Sequence, residues 1–319
     1  NVFATIPVSE NLVAGISLTT PFGRSTTFDK DGALRYTSAY YTELYAVNLN
    51  PNLAYKINDR VSVAAGVDLL YSELTLKQVF PWSLLTGTPD GESKIDADGT
   101  GLGYNAAITW NITDKQKAAL TYRSSTKVDY DGDFKVSQKP PSAALPFPLS
   151  LASDRSSFST EIEFPAVVAA GYGIEITDRL RLEVNIEWIQ HSLFDELPLD
   201  AENNQVLLPQ STIEADWDDN WTYGIGADYA LNENWVLRGG FIYLETPIPS
   251  QTMLPTIAEE DQGVISVGFG YRKGDHRFDA AYAYGLFDGR EVRNNDNPAF
   301  NGDYDFEAHL IGVSYGRAL

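Results

Sequence analysis

The sequence predicts an all-β protein, a transmembrane antiparallel β-barrel of about 14 strands, and three observations support this prediction. Apolar and polar residues alternate in many segments with a period of two, which is the period of a β-strand. Several of these segments are longer than the roughly 5–6 residues of an ordinary strand. Tight polar turns also alternate with long loops along the chain, which is typical of bacterial outer-membrane barrels.

The hairpin from Glu43 to Ser72 is the clearest pair of predicted strands, with its turn at Asn58-Asp59. One face of its first strand is wholly apolar and has a tyrosine at each end, Tyr45 and Tyr55. At roughly 3.3 Å per residue, the two tyrosines lie about 33 Å apart along the strand, or about 25 Å along the membrane normal once the strand is tilted. That span matches the apolar band of an outer-membrane barrel, so we predict that the hairpin crosses the membrane.

Similar alternation predicts the remaining strands, over residues 1–7, 12–20, 102–112, 118–136, 158–176, 180–188, 221–229, 235–243, 264–272, 276–287 and 304–316. Six tight turns alternate with six long loops, at residues 21–42, 77–99, 138–157, 190–218, 246–262 and 289–303. Because single-chain bacterial barrels have even strand counts, the thirteen visible strands imply one more before Asn1. A soluble propeller is the alternative, but its blades would repeat every 40–50 residues or so, and we find no such repeat.

Composition excludes several other classes of protein. No run approaches the roughly 18 apolar residues of a membrane-spanning helix. The formal net charge of -21 argues against a nucleic-acid partner, because phosphate contacts need Lys and Arg. The chain has no cysteine, so it can form neither a disulfide nor a thiolate metal site.

The sequence contains one apparent nucleophile motif, Gly312-Val313-Ser314-Tyr315-Gly316. That motif requires a following helix, and only three residues follow it, so we interpret it as part of a closing strand. The histidines, at positions 191, 276 and 309, do not have metal-site spacing. The acidic runs at 216–219 and 259–261 lack the pattern of an ordered calcium loop. We therefore predict a protein that is not an enzyme and that holds no metal and no cofactor.

Two of the long loops concentrate apolar side chains. The first carries Phe80, Trp82, Leu84 and Leu85, and the second carries Leu145, Phe147, Leu149 and Leu151. Exposed apolar patches usually mark a partner or a ligand, so these residues are candidates for capture of an apolar solute. The alternative is that they pack on one another as a lid.

Arg123 is the candidate polar residue of the lumen. It has the parity of the inward-facing residues and lies close in sequence to the hydroxyls of Thr121 and Ser125. An arginine in this position could bind a carboxylate headgroup through two parallel hydrogen bonds. It could equally pair with an acidic residue across the lumen, and the sequence leaves both interpretations open.

Several stretches resemble the FadL-type family of outer-membrane transporters for long-chain fatty acids and other hydrophobic compounds. They are spread over nearly the whole chain, at Gly15–Gly23, Val47–Lys56, Ala119–Ser124, Val128–Asp133, Thr246–Pro249, Leu254–Pro255 and Glu259–Gln262. Each stretch alone is a weak signal. Their shared order, together with the alternating loops, is more specific.

The resemblance implies a monomeric barrel of about 14 strands in the outer membrane of a Gram-negative bacterium, in contact with the lipid bilayer and lipopolysaccharide. It implies an N-terminal hatch, so residues 1–319 would be a single barrel domain without its hatch and first strand. The two apolar loops would form the capture groove, and Arg123 would lie near the bound headgroup. Gly15 resembles the glycine at a kinked strand through which cargo leaves sideways, and glycine in a strand does permit a bend.

These observations lead to one principal hypothesis and three alternatives. The principal hypothesis is passive uptake of hydrophobic molecules, above all long-chain fatty acids. Uptake of aromatic hydrocarbons is the alternative within the family. An outer-membrane lipid hydrolase is the alternative from another class, and it would need a Ser-His pair at one rim. A purely structural or adhesive barrel is disfavoured, because it has no need of apolar loops.

Overall fold

The computed structural model describes residues 1–202, 204–208 and 211–317, so Ala318 and Leu319 of the predicted 1–319 domain lie outside the described residues. The strands are β1 (Val2–Pro7), β2 (Leu12–Thr19), β3 (Gly23–Thr27), β4 (Tyr41–Lys56), β5 (Val61–Phe80), β6 (Gly91–Thr113), β7 (Gln116–Arg123), β8 (Thr126–Val136), β9 (Arg155–Phe164), β10 (Val167–Glu175), β11 (Leu180–Ile189), β12 (Glu196–Pro198), β13 (Thr212–Glu214), β14 (Asn220–Ala230), β15 (Trp235–Leu244), β16 (Gln262–Lys273), β17 (His276–Leu286), β18 (Arg290–Val292), β19 (Gly302–Tyr304) and β20 (Ala308–Arg317).

The helical segments are short. One α-helix, α1, covers Trp82–Thr86, and 3-10 turns cover Ser142–Ala144, Leu149–Leu151, His191–Leu193, Gln205–Leu207, Pro255–Ile257 and Pro298–Phe300. Among the described residues, no helix has the length and apolar character needed to cross a membrane.

Thirteen strands pair side by side in chain order, β1-β2-β4-β5-β6-β7-β10-β11-β14-β15-β16-β17-β20, and every pairing between them is antiparallel. This order confirms the predicted antiparallel barrel and its thirteen visible strands. Their outward faces carry exposed apolar side chains such as Leu53, Leu102 and Val267. The opposite faces are small or polar, because alternate side chains of a strand point to opposite sides.

The six predicted tight turns join β1 to β2, β4 to β5, β6 to β7, β10 to β11, β14 to β15 and β16 to β17. The long connections lie at the other rim, which faces outward in bacterial barrels. Three of them contain short strands that the sequence analysis missed, namely β3, the pair β12-β13 and the pair β18-β19. The predicted loop at 77–99 was too long, because β5 and β6 continue pairing to Phe80 and Gly91.

The prediction of single strands over 118–136 and 158–176 was wrong, because each is broken into two. The first is interrupted at Ser124-Ser125 and the second at Pro165-Ala166. Pairing with β6 shifts by one residue across the first break, from Arg123 opposite Asn105 to Asp129 opposite Thr100. A one-residue shift moves following side chains to the other face of the sheet.

β5, β6, β8 and β9 extend the sheet beyond the apolar band at the long-loop rim. The outward-facing side chains of β5 change from the aromatic Tyr71 to the polar Glu73 and Thr75. From Glu73 onward the strand therefore lies outside the lipid region. β6 pairs with β8 instead of β7 over this part, and β8 pairs with β9. We refer to this protruding four-stranded layer as the outer sheet.

Candidate functional site: an apolar loop cluster above a lumen arginine

A large apolar cluster fills the inner face of the outer sheet. Among the residues that the structure describes, its twenty-one buried members come from β4, β5, β6, β8, β9 and the loops after β5, β8 and β11, including Leu70, Phe80, Trp82, Tyr130, Phe134, Leu145, Phe158, Phe164, Leu199 and Leu207. Burial of this much apolar surface is the main force that holds the loops on the sheet. We call this set the outer apolar cluster.

The eight apolar loop residues singled out from sequence divide into two groups. Phe80, Trp82 and Leu145 are buried members of the outer apolar cluster, and Leu149 packs against it. The other four remain exposed at the tips, with exposed fractions of 70% for Leu84, 48% for Leu85, 80% for Phe147 and 76% for Leu151. The loops are therefore a packed lid at their base and an exposed apolar surface at their tips.

Trp82 connects the two apolar loops. Its ring lies 4.4 Å from that of Phe80, centroid to centroid. Its Nε1 donates a hydrogen bond of 3.1 Å to the carbonyl of Ser137 in the second loop, and the hydroxyl of Ser137 accepts one from the Glu92 backbone N–H. Trp82 therefore attaches the first loop to the start of the second, since Ser137 directly follows β8 and β8 pairs with β6.

Residues 28–40 are attached to the first tip by two carboxylates. Arg35 and the Tyr36 hydroxyl both donate to Asp90 at 2.8 Å. Lys30 lies 3.0 Å from Glu92, to which the Tyr40 hydroxyl also donates a hydrogen bond. Burial opposes ionisation of Asp90, but hydrogen bonds from Ser83 and Tyr36 and the charge of Arg35 hold its pKa below the ordinary value.

The pKa of Glu92 is shifted in the same direction. Burial again opposes ionisation, and hydrogen bonds from Tyr40 and Lys30 outweigh it. Both carboxylates are therefore more acidic in the folded protein than in the unfolded chain. We call the contacts of Asp90 and Glu92 with residues 28–40 the loop latch.

Below the outer apolar cluster, Arg123 faces the lumen beside the buried carboxylate of Asp68. Arg123 Nε lies 4.0 Å from Asp68 Oδ2, and only 4% of the Asp68 side chain is exposed. Three asparagine amides also donate to this carboxylate. Asn48 Nδ2 and Asn50 Nδ2 reach Oδ1 at 2.5 and 3.2 Å, and Asn105 Nδ2 reaches Oδ2 at 2.8 Å.

A small cavity of about 10 Å³, which has room for about one water molecule, adjoins Arg123 and is lined by Pro21, Phe22, Asn48, Asp68, Leu70, Ser124, Thr126, Phe164 and Pro165. The hydroxyl-bearing residues that line the cavity with Arg123 are Ser124 and Thr126, rather than Thr121 and Ser125, which share its parity in the sequence. The strand break at Ser124-Ser125 is the reason, because it changes the face on which the following residues lie. Phe22 and Phe164 stack at 4.7 Å between this cavity and the outer apolar cluster.

A second carboxylate belongs to the surroundings of Arg123. Glu187 lies on β11 opposite Ala169, which in turn lies opposite Thr121, so all three share one row across the sheet. Glu187 is within electrostatic range of Arg123. One cation therefore faces two acidic side chains in this part of the lumen.

The lumen carboxylates and amides were not identified from sequence, although a signal exists. Asn48, Asn50 and Asn52 occupy three successive inward positions of one membrane-spanning strand. Buried amides need hydrogen-bond partners, so such a ladder indicates a polar network in the lumen. The register of the strands decides which side chains complete this network. It brings the acid Asp68 on β5 and the amide Asn105 on β6 to the same level of the barrel wall.

Gly15, the expected kink, lies within β2 and pairs with Thr5 on one side and Asn52 on the other, in unbroken register. A side chain there would come within 2.5 Å of Asn52 Oδ1, so glycine allows the amide to approach closely. The nearest interruption is at residues 20–22, between β2 and β3. A bend at Gly15 stays a prediction.

The other chemical motifs are engaged in structural contacts. His191 bonds Asn220, His276 bonds Tyr315, and His309 bonds Tyr282 and Glu307, so the described hydrogen bonds include no Ser-His pair. Ser314 lies within β20. In the described ranges, no three His, Cys, Asp or Glu side chains are grouped to hold a metal ion.

The acidic run at 259–261 has local partners. Arg24 bonds Glu259 at 3.3 Å, and Asp261 accepts hydrogen bonds from the Tyr243 hydroxyl and the Thr246 backbone N–H. Burial raises the pKa of Glu259 above its ordinary value, although the charge of Arg24 opposes the shift. These contacts attach the loop before β16 to β3.

Comparison with known proteins gives a family match, one relative of similar sequence and two solved structures of similar fold. Residues 1–318 match the family described as outer membrane protein transport protein (OMPP1/FadL/TodX). The long-chain fatty acid transport protein of Escherichia coli is 25% identical over 351 aligned positions, which cover all of this chain and 76% of that protein.

Two solved structures share the fold. A FadL homologue of Pseudomonas aeruginosa superposes with a TM-score of 0.81 at 22% identity, covering 98% of this chain and 74% of that one. The toluene transporter TbuX of Ralstonia pickettii superposes with a TM-score of 0.69 at 17% identity, covering 98% of this chain and 79% of that one.

Proposed function

We propose that this chain, which belongs to the OMPP1/FadL/TodX family of outer-membrane transport proteins, is a passive channel that admits long-chain fatty acids. Members of the family transport hydrophobic compounds across the outer membrane. The proposal for this chain has three steps. Cargo binds the exposed apolar loop tips, passes through the outer apolar cluster, and places its headgroup beside Arg123.

One observation carries the proposal, the continuity of apolar residues from the loop tips to the lumen. Exposed Leu84 belongs to the same short helix as buried Trp82, and the cluster that contains Trp82 also contains Phe164, which lines the Arg123 cavity. In the described state the side chains fill this path themselves. Cargo would enter by replacing apolar contacts with equivalent ones, which costs little free energy because both environments are apolar.

The exit that we propose is sideways, beside β2. Pro21 and Phe22 occupy the interruption between β2 and β3 and also line the Arg123 cavity. A strand that stops pairing at the level of a cavity offers a route from lumen to lipid without crossing the periplasmic turns. The channel would act as a monomer in contact with bilayer lipid and lipopolysaccharide, with Gly15 contributing to the bend.

Uptake of neutral aromatic hydrocarbons is the second candidate, and the charge balance of the lumen favours it. The cation of Arg123 is compensated by Asp68 at 4.0 Å, so the cavity has no uncompensated positive charge to attract an anion. TbuX, a toluene transporter, shares the fold. The two cargo classes are distinguished by whether uptake depends on a polar headgroup.

Uptake of a radiolabelled long-chain fatty acid by cells with and without this protein tests the proposal. The double variant Leu84→Asn and Leu151→Asn should lower the initial rate several-fold, because each substitution removes about 2 kcal/mol of apolar contact from the capture surface. Leu231→Asn is the matched control, since Leu231 is an exposed leucine in a turn at the opposite rim. An uptake rate that does not depend on the protein would refute the proposal.

A further inference from the structure

A cavity of about 350 Å³ lies among the long loops, away from the exposed loop tips and from Arg123. The outer sheet forms one side of it through β5, β6 and β8. Residues 37–39 and the loops that precede β14, β16 and β20 form the other sides. Ligand pockets in proteins measure roughly 300–1,000 Å³, so this cavity is large enough for a small organic molecule.

The buried side chains of the cavity can hold an apolar group. Thr252 donates its hydroxyl to the Ala215 carbonyl, and Asn295 Nδ2 donates to the carbonyls of Ser250 and Met253 at 2.9 and 2.8 Å. Because these polar groups already have partners, the surface left for a ligand is mainly that of the buried apolar side chains. They are Ile95, Phe134, Leu199, Leu208 and Phe300.

The exposed side chains at the mouth of the cavity have a different character. Glu214 and Asp296 are both exposed there, and the other polar lining residues are serine, threonine, asparagine and glutamine. No lysine, arginine or histidine belongs to the lining that the structure describes. The cavity therefore combines an apolar interior with a mouth that carries only negative charge.

The surroundings of the mouth are negative as well. Asp216 lies two residues after Glu214, and its pKa is raised above the ordinary value. The main cause is a hydrogen bond with Asp195, and the charges of Asp296 and Asp218 add to it. Carboxylates that oppose one another's ionisation in this way favour the approach of a cation.

The arginines of the neighbouring segments do not cancel this charge, because they have acidic partners of their own. Arg24 pairs with Glu259 at 3.3 Å. Arg293 pairs with Glu291 and Asp303, both at 2.6 Å. Their charges are thus used within other contacts of the loops, and the negative charge at the mouth remains available to a ligand.

We propose that this cavity is a binding site for a cationic amphiphile, a molecule with an organic ammonium group on a short apolar chain. The chain would lie against the buried apolar side chains, and the ammonium group would lie at the mouth between Glu214 and Asp296. A carboxylate headgroup would meet repulsion at the same place. The proposal goes beyond the proposed function, because the fatty-acid path ends at Arg123, which does not line this cavity.

Equilibrium dialysis of the full chain in an uncharged detergent tests the proposal, with radiolabelled octyltrimethylammonium as the probe. Unlabelled octanol and octanoate then compete with it at about pH 7, where the carboxylate is ionised. Competition restricts the measurement to one site, so octanoate bound on the fatty-acid path does not contribute. Since ion pairs at an exposed mouth are screened by water and salt, we expect octanol to compete about fivefold less well and octanoate at least about tenfold less well.

Two double variants locate the charge that is responsible. Glu214→Gln with Asp296→Asn should lower the affinity for octyltrimethylammonium about fivefold and change that for octanol less than about twofold. Asp98→Asn with Asp131→Asn is the matched control, because it removes the same charge from an exposed pair on the outer sheet that does not line the cavity. Equal losses in both double variants would overturn the proposal, since they would indicate a general attraction to an acidic protein.

A third variant tests the position of the apolar chain. Ala39 lines the cavity, and Ala39→Phe would place a phenyl ring in it, so the binding of octyltrimethylammonium and of octanol should weaken alike, by at least about fivefold. Unchanged binding of both would place the ligand elsewhere and overturn the proposal, as would octanoate competing as well as the ammonium probe. Absence of saturable ammonium binding would also refute it, while uptake of fatty acids would be unaffected by that result.

Discussion

The wall of the barrel that carries the outer sheet differs from the wall of β14–β17 in what covers its inner face. The outer apolar cluster on the first wall has twenty-one buried members, whereas the cluster under the loops of the second has four, Ile248, Met253, Ala258 and Val292. Inside the barrel, the second wall carries an open cavity of about 530 Å³. Arg238 there bonds Asp279 at 2.6 Å and lies 3.2 Å from Asp228.

This difference teaches that one barrel can combine two kinds of lumen surface. On the β14–β17 side, arginines and aspartates pair with one another, and glycines such as Gly226 and Gly240 leave the cavity open. On the side of the outer sheet, apolar side chains fill the space, and the polar group at their lower end, Arg123, keeps an unpaired donor. The cargo path that we propose therefore follows the first wall.

The largest effect is expected for Trp82→Ala. Trp82 is fully buried, so truncation should cost about 3–5 kcal/mol of local stability through lost contacts and a cavity. Amide hydrogen exchange of residues 81–90 and 137–154 should become faster as a result. Met253→Ala is the counterpart in the smaller cluster and should leave the exchange of these two loops unchanged. Equal responses to both variants would show that the two walls are coupled as one unit.

Arg123→Ala should have the next largest effect. A hydrogen bond to a charged group contributes about 1.5–3 kcal/mol, so binding of a fatty acid whose headgroup lies beside Arg123 should weaken by about tenfold to one hundredfold. Alkane binding should remain nearly unchanged, because the alkane makes no hydrogen bond. Arg238→Ala on the opposite wall should affect neither. If Arg123→Ala weakens acid and alkane equally, Arg123 does not contact a headgroup.

The smallest effect is a difference in acid response between the loops of the two walls. Asp90 and Glu92 have lowered pKa values, so the loop latch stabilises the fold above about pH 4 and this contribution is lost as the pH falls through the folded-state values. Glu259 has a raised pKa in the folded protein. The folded state therefore gains stability as the pH falls from that raised pKa to the ordinary value of about 4.5.

Peptic cleavage of the intact protein in a series of acidic buffers measures this difference. Cleavage within residues 28–40 should increase below about pH 4, whereas residues 245–261 should become more protected as the pH falls from about 6 to about 4.5. Asp90→Asn should weaken the first response and Glu259→Gln the second. Parallel changes in both loops would contradict the assigned pKa directions.

The barrel itself could be predicted from sequence because its signal is local. Alternation with a period of two, tyrosines at both ends of a membrane-spanning strand, and polar turns are each visible within a few residues of chain. The apolar loops and the inward parity of Arg123 were visible in the same way. The resemblance to the transporter family then suggested a cargo class, and the match over residues 1–318 confirms the family.

The sequence by itself determined the class of fold, the strand order and the candidate residues, since these depend on composition and period. Only the tertiary structure decided which loop residues form the lid and which remain exposed, because burial depends on segments distant in sequence. It also decided that Asn48, Asp68 and Asn105 meet beside Arg123, through the register of three adjacent strands. Register is set by pairing between strands, and the break at Ser124-Ser125 changes it by one residue, which no local pattern revealed.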